Sequence, residues 1–287
     1  LWPEVEPEPP VALLYKAAAD IRTLGGDCLV ALGGGSSMDF AKMAAVLAKF
    51  PELDAAAMVG SEKVPARGLP TIMIPTTAGS GSEVSAVAVF SFPEEKMKKG
   101  VAGGNMVADV ALVDPELTHG LPPAITAASG MDALVHAVES YLSLGTNPLT
   151  QDLALAAVRK IAPNLAACVR EPDNASARAA QSYGSLTAGM AFAMSGTAGV
   201  HAMAYPLGGE FHVPHGEANT AMLRWVMEYN LDGCPEKFVP KAEAMGINTA
   251  GMSAERAASA ALESRMQTPR RAPRPPRPRS WWSCERP

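Results

Sequence analysis

Strand-like patterning is confined to roughly the first 118 of 287 residues, and helical apolar spacing takes over in everything that follows. That asymmetry restricts the fold more than any other feature. Short apolar runs that each lead into a turn and a helix build a parallel sheet, and a long uninterrupted series of helices after them must pack on itself. Cys28–Leu32 is a wholly apolar run of the kind a buried parallel strand shows, and it feeds directly into Gly33-Gly34-Gly35-Ser36-Ser37 and a helix. Ahead of it, residues 11–24 have helical spacing and stop at Gly25-Gly26, while the acidic, proline-rich residues 1–10 read as an extended linker. A second buried strand, Thr71–Ile74, ends in PTTAGSGSEVS. Val84–Phe90 alternates and is expected to pair antiparallel with the segment around Gly100, and Val110–Val113 closes at Asp114-Pro115. Helices are expected over 123–143, 148–169, 175–194, 200–205, 218–230 and 236–245, with the stretch Pro206-Leu207-Gly208-Gly209 ending the fourth of them.

Length allows two sizeable cores, and a formal net charge of −5 argues against nucleic acid as the main partner. No apolar run reaches the roughly 20 residues that span a bilayer. The start has neither the basic nor the apolar region of a secretory signal and lacks an initiating Met, so the chain reads as a fragment or a processed product. Cys28, Cys168, Cys234 and Cys284 are widely scattered, which suits unpaired thiols in a reducing cytoplasm. Residues 264–287 carry seven Arg and one Glu among many prolines, a tract that cannot bury a core and is expected to be disordered.

The stretch HAMAYPLGGEFHVPH, residues 201–215, holds three of the five histidines. Imidazoles bind Zn, Fe, Cu or Ni, but two of them make an incomplete site. GMDALVHAVE supplies more: Asp132 and His136 are four apart on a helical pattern, so both lie on one face. Either pair alone is commonplace. Together they read as a metal site of one carboxylate and three imidazoles, Asp132, His136, His201 and His215. Glu139 shares that face; a surface glutamate is the plainer reading and an orienting contact to a ligand the other. His212 is as readily a solvated loop histidine as a cavity-lining one, and His119 has no acidic partner nearby.

Two loops point to a nucleotide. Glycines at 33–35 permit close backbone approach, and the following helix offers free N–H groups and the positive end of its dipole to a pyrophosphate. A tight strand-to-helix connection with Asp39 serving the helix start explains that stretch equally well, since GGGSxxD is not the GxGxxG fingerprint. The second loop, Thr76 to Glu83, lies at the carboxyl end of the next strand, where ligands of open α/β sheets bind, although its hydroxyls can also cap their own backbone. Nucleotide and metal on either side of a cleft suggest a redox reaction. A catalytic metal lowers the pKa of bound water to about 7, far below its bulk value, and a comparable shift would make a metal-bound alkoxide accessible for hydride transfer to a nicotinamide.

GGGSSMDFAK, PTTAGSGSEVS, GMDALVHAVE and HAMAYPLGGEFHVPHG occur in the order seen in the iron-dependent (group III) alcohol dehydrogenases, which the chain resembles over about residues 5–260. The resemblance implies an α/β domain with a partial dinucleotide-binding parallel sheet over 1–118 and an all-helical metal-binding domain over 119–263. It equates Asp132, His136, His201 and His215 with the metal ligands, usually for iron(II) and sometimes zinc(II). Gly34, Gly35, Ser36 and Asp39, with Ser37 beside them, fall on the pyrophosphate loop. Thr76, Thr77 and Ser80 fall on the second NAD loop, and Lys99 near a ribose lysine. A small alcohol or aldehyde substrate, NAD or NADP and, in the full-length family, a homo-oligomer follow from the same likeness, while charge and hydropathy argue against nucleic-acid and membrane partners. Tyr205 stands where many members have a histidine thought to relay the substrate proton, so it is the candidate relay. Members begin with a further strand–helix–strand unit and end with further helices. Their absence is expected to leave the chain aggregation-prone with impaired cofactor binding. The expected function is hydride transfer between a small alcohol and NAD(P); the alternative is a catalytically inactive truncated fragment of such an enzyme.

Overall fold

The computed structural model describes residues 2, 5–6, 9–92, 94, 97–211 and 213–265. The arginine- and proline-rich tract beyond 265 and His212 therefore lie outside the described residues. Helix α1 (Val11–Thr23) closes as its spacing predicts: Gly25 adopts φ +65°, and the N–H groups of Gly25 and Gly26 donate to Arg22 and Ile21 carbonyls. Those two bonds satisfy carbonyls that the helix end would otherwise orphan.

Strands β1 (Leu29–Gly33), β3 (Thr71–Pro75) and β6 (Val110–Ala111) form a parallel sheet in the order β1-β3-β6. The pairing sets Val30 beside Ile72 and Ile72 beside Val110. On one face, Ala31 and Met73 pack on Met38 and Ala41 of α2 (Gly35–Lys49). On the other face, Val30 and Leu32 are 61% and 60% exposed, with Val110 and Leu112 also open. The apolar run thus marks a strand correctly but not a strand buried on both sides.

A second sheet, β2-β5-β4, is built from β2 (Gly60–Ser61), β4 (Val87–Phe92) and β5 (Met97–Ala102). The expected antiparallel excursion is present, with Val89 opposite Gly100. Helix α2 lies between α1, β1, β3 and β4 and is buried nearly all round, which its alanines at 41, 44, 45 and 48 allow by keeping the backbone close to its neighbours. The described residues of the opening segment pack on the fold instead of forming a linker. Trp2 stacks on Phe40 at 5.2 Å and donates to Asp20, and the Ser91 N–H donates to the Pro9 carbonyl, adding backbone to the edge of β4.

Among the described residues every element after 112 is helical. A 3-10 turn at Pro115–Thr118 leads to α3 (Pro123–Leu142), α4 (Pro148–Arg170), α5 (Ala175–Ser195), α6 (Gly199–Phe211), α7 (His215–Leu231), α8 (Phe238–Ala244) and α9 (Ala254–Arg265). Helix α4 starts at a reciprocal cap between Asn147 and Thr150 with Pro148 in its first turn. Helices α3, α4 and α5 pack closely because Gly130 faces Leu165 and Gly184 faces Ile161 with no room for a Cβ. Their core of Ala133, Val135, Ala137, Ile161 and Phe238 is solvent-free.

Helix α6 corrects the expectation of a stop at Pro206. It continues through the proline to Phe211, because α6 packs along α7 and β5; Gly208 sits where a Cβ would meet the Lys98 ammonium at 2.9 Å. The missing hydrogen bond at Pro206 is offset by that packing. The two halves meet at the loop after β3. Gly79 lies against Ser129 of α3, Gly81 against Gly189 of α5, and Gln181 of α5 donates to the Ala78 carbonyl.

Candidate metal centre

Asp132, His136 and Glu139 recur at helical spacing on one buried face of α3, and α6 and α7 bring His201 and His215 against it. The ligand atoms of Asp132, His136 and His201 all lie within 4.8 Å of one another. His215 stands at the rim, its side chain 40% exposed, with Nε2 3.6 Å from Asp132 Oδ1; His201 Nε2 is 3.7 Å from the same oxygen. A tetrahedral ion with bonds of about 2.1 Å spaces its ligands roughly 3.4 Å apart, so those separations suit a divalent cation. Imidazole and carboxylate together suit iron(II) or zinc(II).

Each buried imidazole is aimed from behind. His136 Nδ1 donates to the Gly79 carbonyl at 3.2 Å and the ring stacks on Phe192, leaving Nε2 for an ion. His201 Nδ1 donates to Glu139 Oε2 at 2.6 Å, and Glu139 Oε1 accepts the Val200 N–H. Glu139 is fully buried, so the surface reading is corrected: it is the carboxylate that fixes the His201 tautomer. Its spacing from Asp132 carried that signal. Asn219, one helical turn after His215, was not singled out by sequence. Its Nδ2 donates to Asp132 Oδ1 at 2.7 Å and lies 3.2 Å from both His201 Nε2 and His215 Nε2.

Burial pushes the Asp132 acid up, but His136, His201 and His215 outweigh it and hold the carboxyl well below the usual range. Burial dominates at His136 and lowers it to about 4. It is overcome at His201, where the neighbouring Asp132 carboxylate and the hydrogen-bonded Glu139 raise the imidazole to about 9. His201 therefore carries a proton at pH 7 that a cation must displace. Zn(II) binding is expected to release close to one proton, with affinity rising about tenfold per pH unit up to pH ~9. Calorimetry in buffers of different ionisation enthalpy counts it, and no release at pH 7 would mean that His201 binds already neutral.

The two loops do come together. A Cβ at Gly34 would stand 3.5 Å from Thr77, and one at Gly35 would meet Ser80 at 2.9 Å, so the bare backbone opening α2 lies beside the Thr76–Ser80 loop. Ser36 and Ser37 are in the first turn of α2, whose N–H groups precede the bond from Met38 to Gly34. Asp39 has a different task from the one expected: Ser82 Oγ and the Val89 N–H donate to its two oxygens at 2.5 and 2.8 Å. It fastens the second loop to α2, assisted by buried Lys42, which donates to the Ser85 and Val87 carbonyls. Lys99 rests over the Phe92 ring at 4.8 Å, on the face where Phe90 pairs with it, and the adjacent Lys98 reaches toward α6 instead.

Tyr205 is on α6 one turn after His201, its ring 6.1 Å from that of His215. Burial and the charges of Asp132 and Asp39 push its phenol above the ordinary value, so it holds its proton near neutrality. Tyr205→Phe is expected to lower kcat by less than about tenfold, well short of the 10²–10⁴-fold that acid–base relay contributes. A larger loss with a shifted pH profile would make it the relay.

Fold and site define the class, and sequence comparison agrees: this chain belongs to the iron-containing alcohol dehydrogenase family. The iron-containing alcohol dehydrogenase profile matches residues 1–115, and the C-terminal profile of the Fe-containing alcohol dehydrogenase family matches 126–270. Long-chain-alcohol dehydrogenase 1 of Geobacillus thermodenitrificans is 43% identical over 88% of this chain and 64% of its own length. The 1,3-propanediol dehydrogenase of Klebsiella pneumoniae is 41% identical over 90% and 66%. The chain thus spans just under two thirds of these relatives. Among solved structures, a 1,3-propanediol oxidoreductase superposes with TM-score 0.87 at 40% identity, covering 92% of this chain and 71% of that one. The sulfoacetaldehyde reductase of Bifidobacterium kashiwanohense, in complex with NAD+, gives 0.81 at 34% identity, covering 92% and 70%.

Proposed function

We propose that the chain transfers a hydride between a small alcohol and NAD or NADP, acting as an aldehyde reductase in reverse. The single observation that carries this reading is the hydrogen bond from His136 to the Gly79 carbonyl, which places the carboxylate–imidazole cluster directly behind the loop that flanks the α2 N-terminus. A divalent cation, iron(II) or zinc(II), would supply Lewis acidity toward a substrate oxygen, and a nicotinamide dinucleotide the hydride acceptor. Asp132, His136, His201 and His215 would hold the ion. Glu139 holds His201 in the tautomer that presents Nε2. The backbone of Gly34, Gly35, Ser36 and Ser37 would bind pyrophosphate, and the hydroxyls of Thr76, Thr77 and Ser80 would orient the remainder of the dinucleotide beside it. Asp39 and Lys42 keep that second loop in place. Tyr205 would donate a hydrogen bond at the mouth of the site.

In this reading the division falls near residue 118: residues 1–118 serve the dinucleotide and 119–263 the metal. The three described cysteines are unpaired, which supports a reducing cytoplasmic setting. Reconstitution without oxygen tests the whole. The metal-free protein is loaded with Fe(II) or Zn(II), its metal content is measured, and nicotinamide absorbance is followed with NAD and NADP across short primary alcohols. Alcohol-dependent reduction of either cofactor is the expected result; none from a fully loaded, folded protein overturns the proposal.

A further inference from the structure

We propose, on the dinucleotide reading of the two loops, that Gln181 of α5 is a positioning residue of the cofactor site. Its carboxamide and the His136 ring together turn two peptide groups of the second loop so that their N–H groups serve the dinucleotide. Gln181 Nε2 donates to the Ala78 carbonyl at 3.3 Å, and His136 Nδ1 donates to the next carbonyl, that of Gly79, at 3.2 Å. Two successive carbonyls are thus drawn into the helical half, by α5 and α3, which pack on each other. Both peptide units are trans, so each N–H points opposite to its carbonyl. The N–H groups of Gly79 and Ser80 are therefore turned away from α5 and α3, and among the described residues neither has a protein acceptor. Gly35 approaches Ser80 so closely that a Cβ would meet it at 2.9 Å, which sets these donors beside the backbone opening α2. Successive N–H groups aimed one way form a concavity for a ligand oxygen.

As packing alone the carboxamide is a poor choice. Gln181 is buried over Gly130 of α3, and its Oε1 has no partner. An unpaired buried acceptor destabilises the fold, and a methionine would fill the same space without one. What the carboxamide adds is a donor aimed at Ala78. Among the described residues Gln181 bonds to none of Asp132, His136, His201 and His215, so it acts on the dinucleotide with or without an ion.

NADH and NADPH titrations, followed by fluorescence on the metal-free and the Zn(II)-loaded full chain, test the assignment. Gln181→Met is expected to weaken dinucleotide binding about five- to tenfold, by the same factor in both forms. Its Zn(II) affinity should be unchanged and its melting temperature within about 2 °C of wild type. In turnover the loss should fall on the KM for cofactor and not on kcat. Gln181→Glu keeps the size but donates only while protonated. Relative to wild type, its affinity should fall as pH rises from about 6 to 9 and the carboxyl ionises, a slope absent from Gln181→Met. Unchanged affinity in Gln181→Met overturns the proposal. So does a joint loss of dinucleotide affinity, Zn(II) affinity and melting temperature, which would make Gln181 a packing residue of α5. A folded, Zn(II)-loaded wild type that binds neither NADH nor NADPH overturns the dinucleotide reading, and this assignment with it.

Discussion

Lys241→Met is expected to raise the melting temperature by about 10 °C at pH 7 and to flatten its dependence on pH, the largest stability change we foresee. Lys241 is only 3% exposed on α8, and among the described residues its ammonium has the Met227 sulfur at 3.6 Å and the Phe238 ring at 3.4 Å for company. Burial pushes it down to about 7, with Cys234 pulling slightly the other way. Between pH ~7 and the unfolded value near 10.4 the unfolded chain binds the extra proton, so wild-type stability rises with pH across that window. At pH 7 the penalty is on the order of 4 kcal/mol, at 1.36 kcal/mol per unit. Methionine keeps the unbranched shape without the charge. Melting curves from pH 6 to 10 for both proteins decide the matter: parallel curves would show that the lysine is solvated after all.

The second large effect separates two residues that a metal assay alone would confuse. Asp132→Ala and His136→Ala should each weaken Zn(II) binding by far more than the roughly 10–100-fold that an outer partner costs. Only His136 also holds the Gly79 carbonyl. His136→Ala should therefore weaken dinucleotide binding by the metal-free protein about five- to tenfold, the worth of one hydrogen bond, and Asp132→Ala should not. The same bond predicts that Zn(II) and dinucleotide each tighten the other by a common factor in wild type, as reciprocity requires. Calorimetric titration of NADH into metal-free and Zn(II)-loaded protein measures it; equal affinities in both would disconnect His136 from the loop.

Helices α3, α4 and α5 were legible almost to the residue, because apolar spacing agrees with the proline or asparagine at each start. Helix α6 was not, since Pro206 and two glycines speak locally for a stop and only contacts with β5 and α7 carry it onward. Residue type located the site, while direction stayed hidden. Asp39 follows the glycine turn as a pyrophosphate-loop residue should, yet it lies past the first turn of α2, and its register turns it toward Ser82 and Val89. Glu139 and Asn219 were on the right helical faces to join the cluster, but spacing does not say which face another helix will cover.

Val30 and Leu32 of β1, Val110 of β6 and Leu112 just beyond it are exposed, apolar and open to water. Sulfate and similar excluded salts strengthen attraction between such surfaces, and cooling weakens it. Purification by salting-out will thus drive the chain onto itself, whereas a cold, dilute, low-salt buffer keeps single molecules in solution long enough to be loaded with metal and assayed.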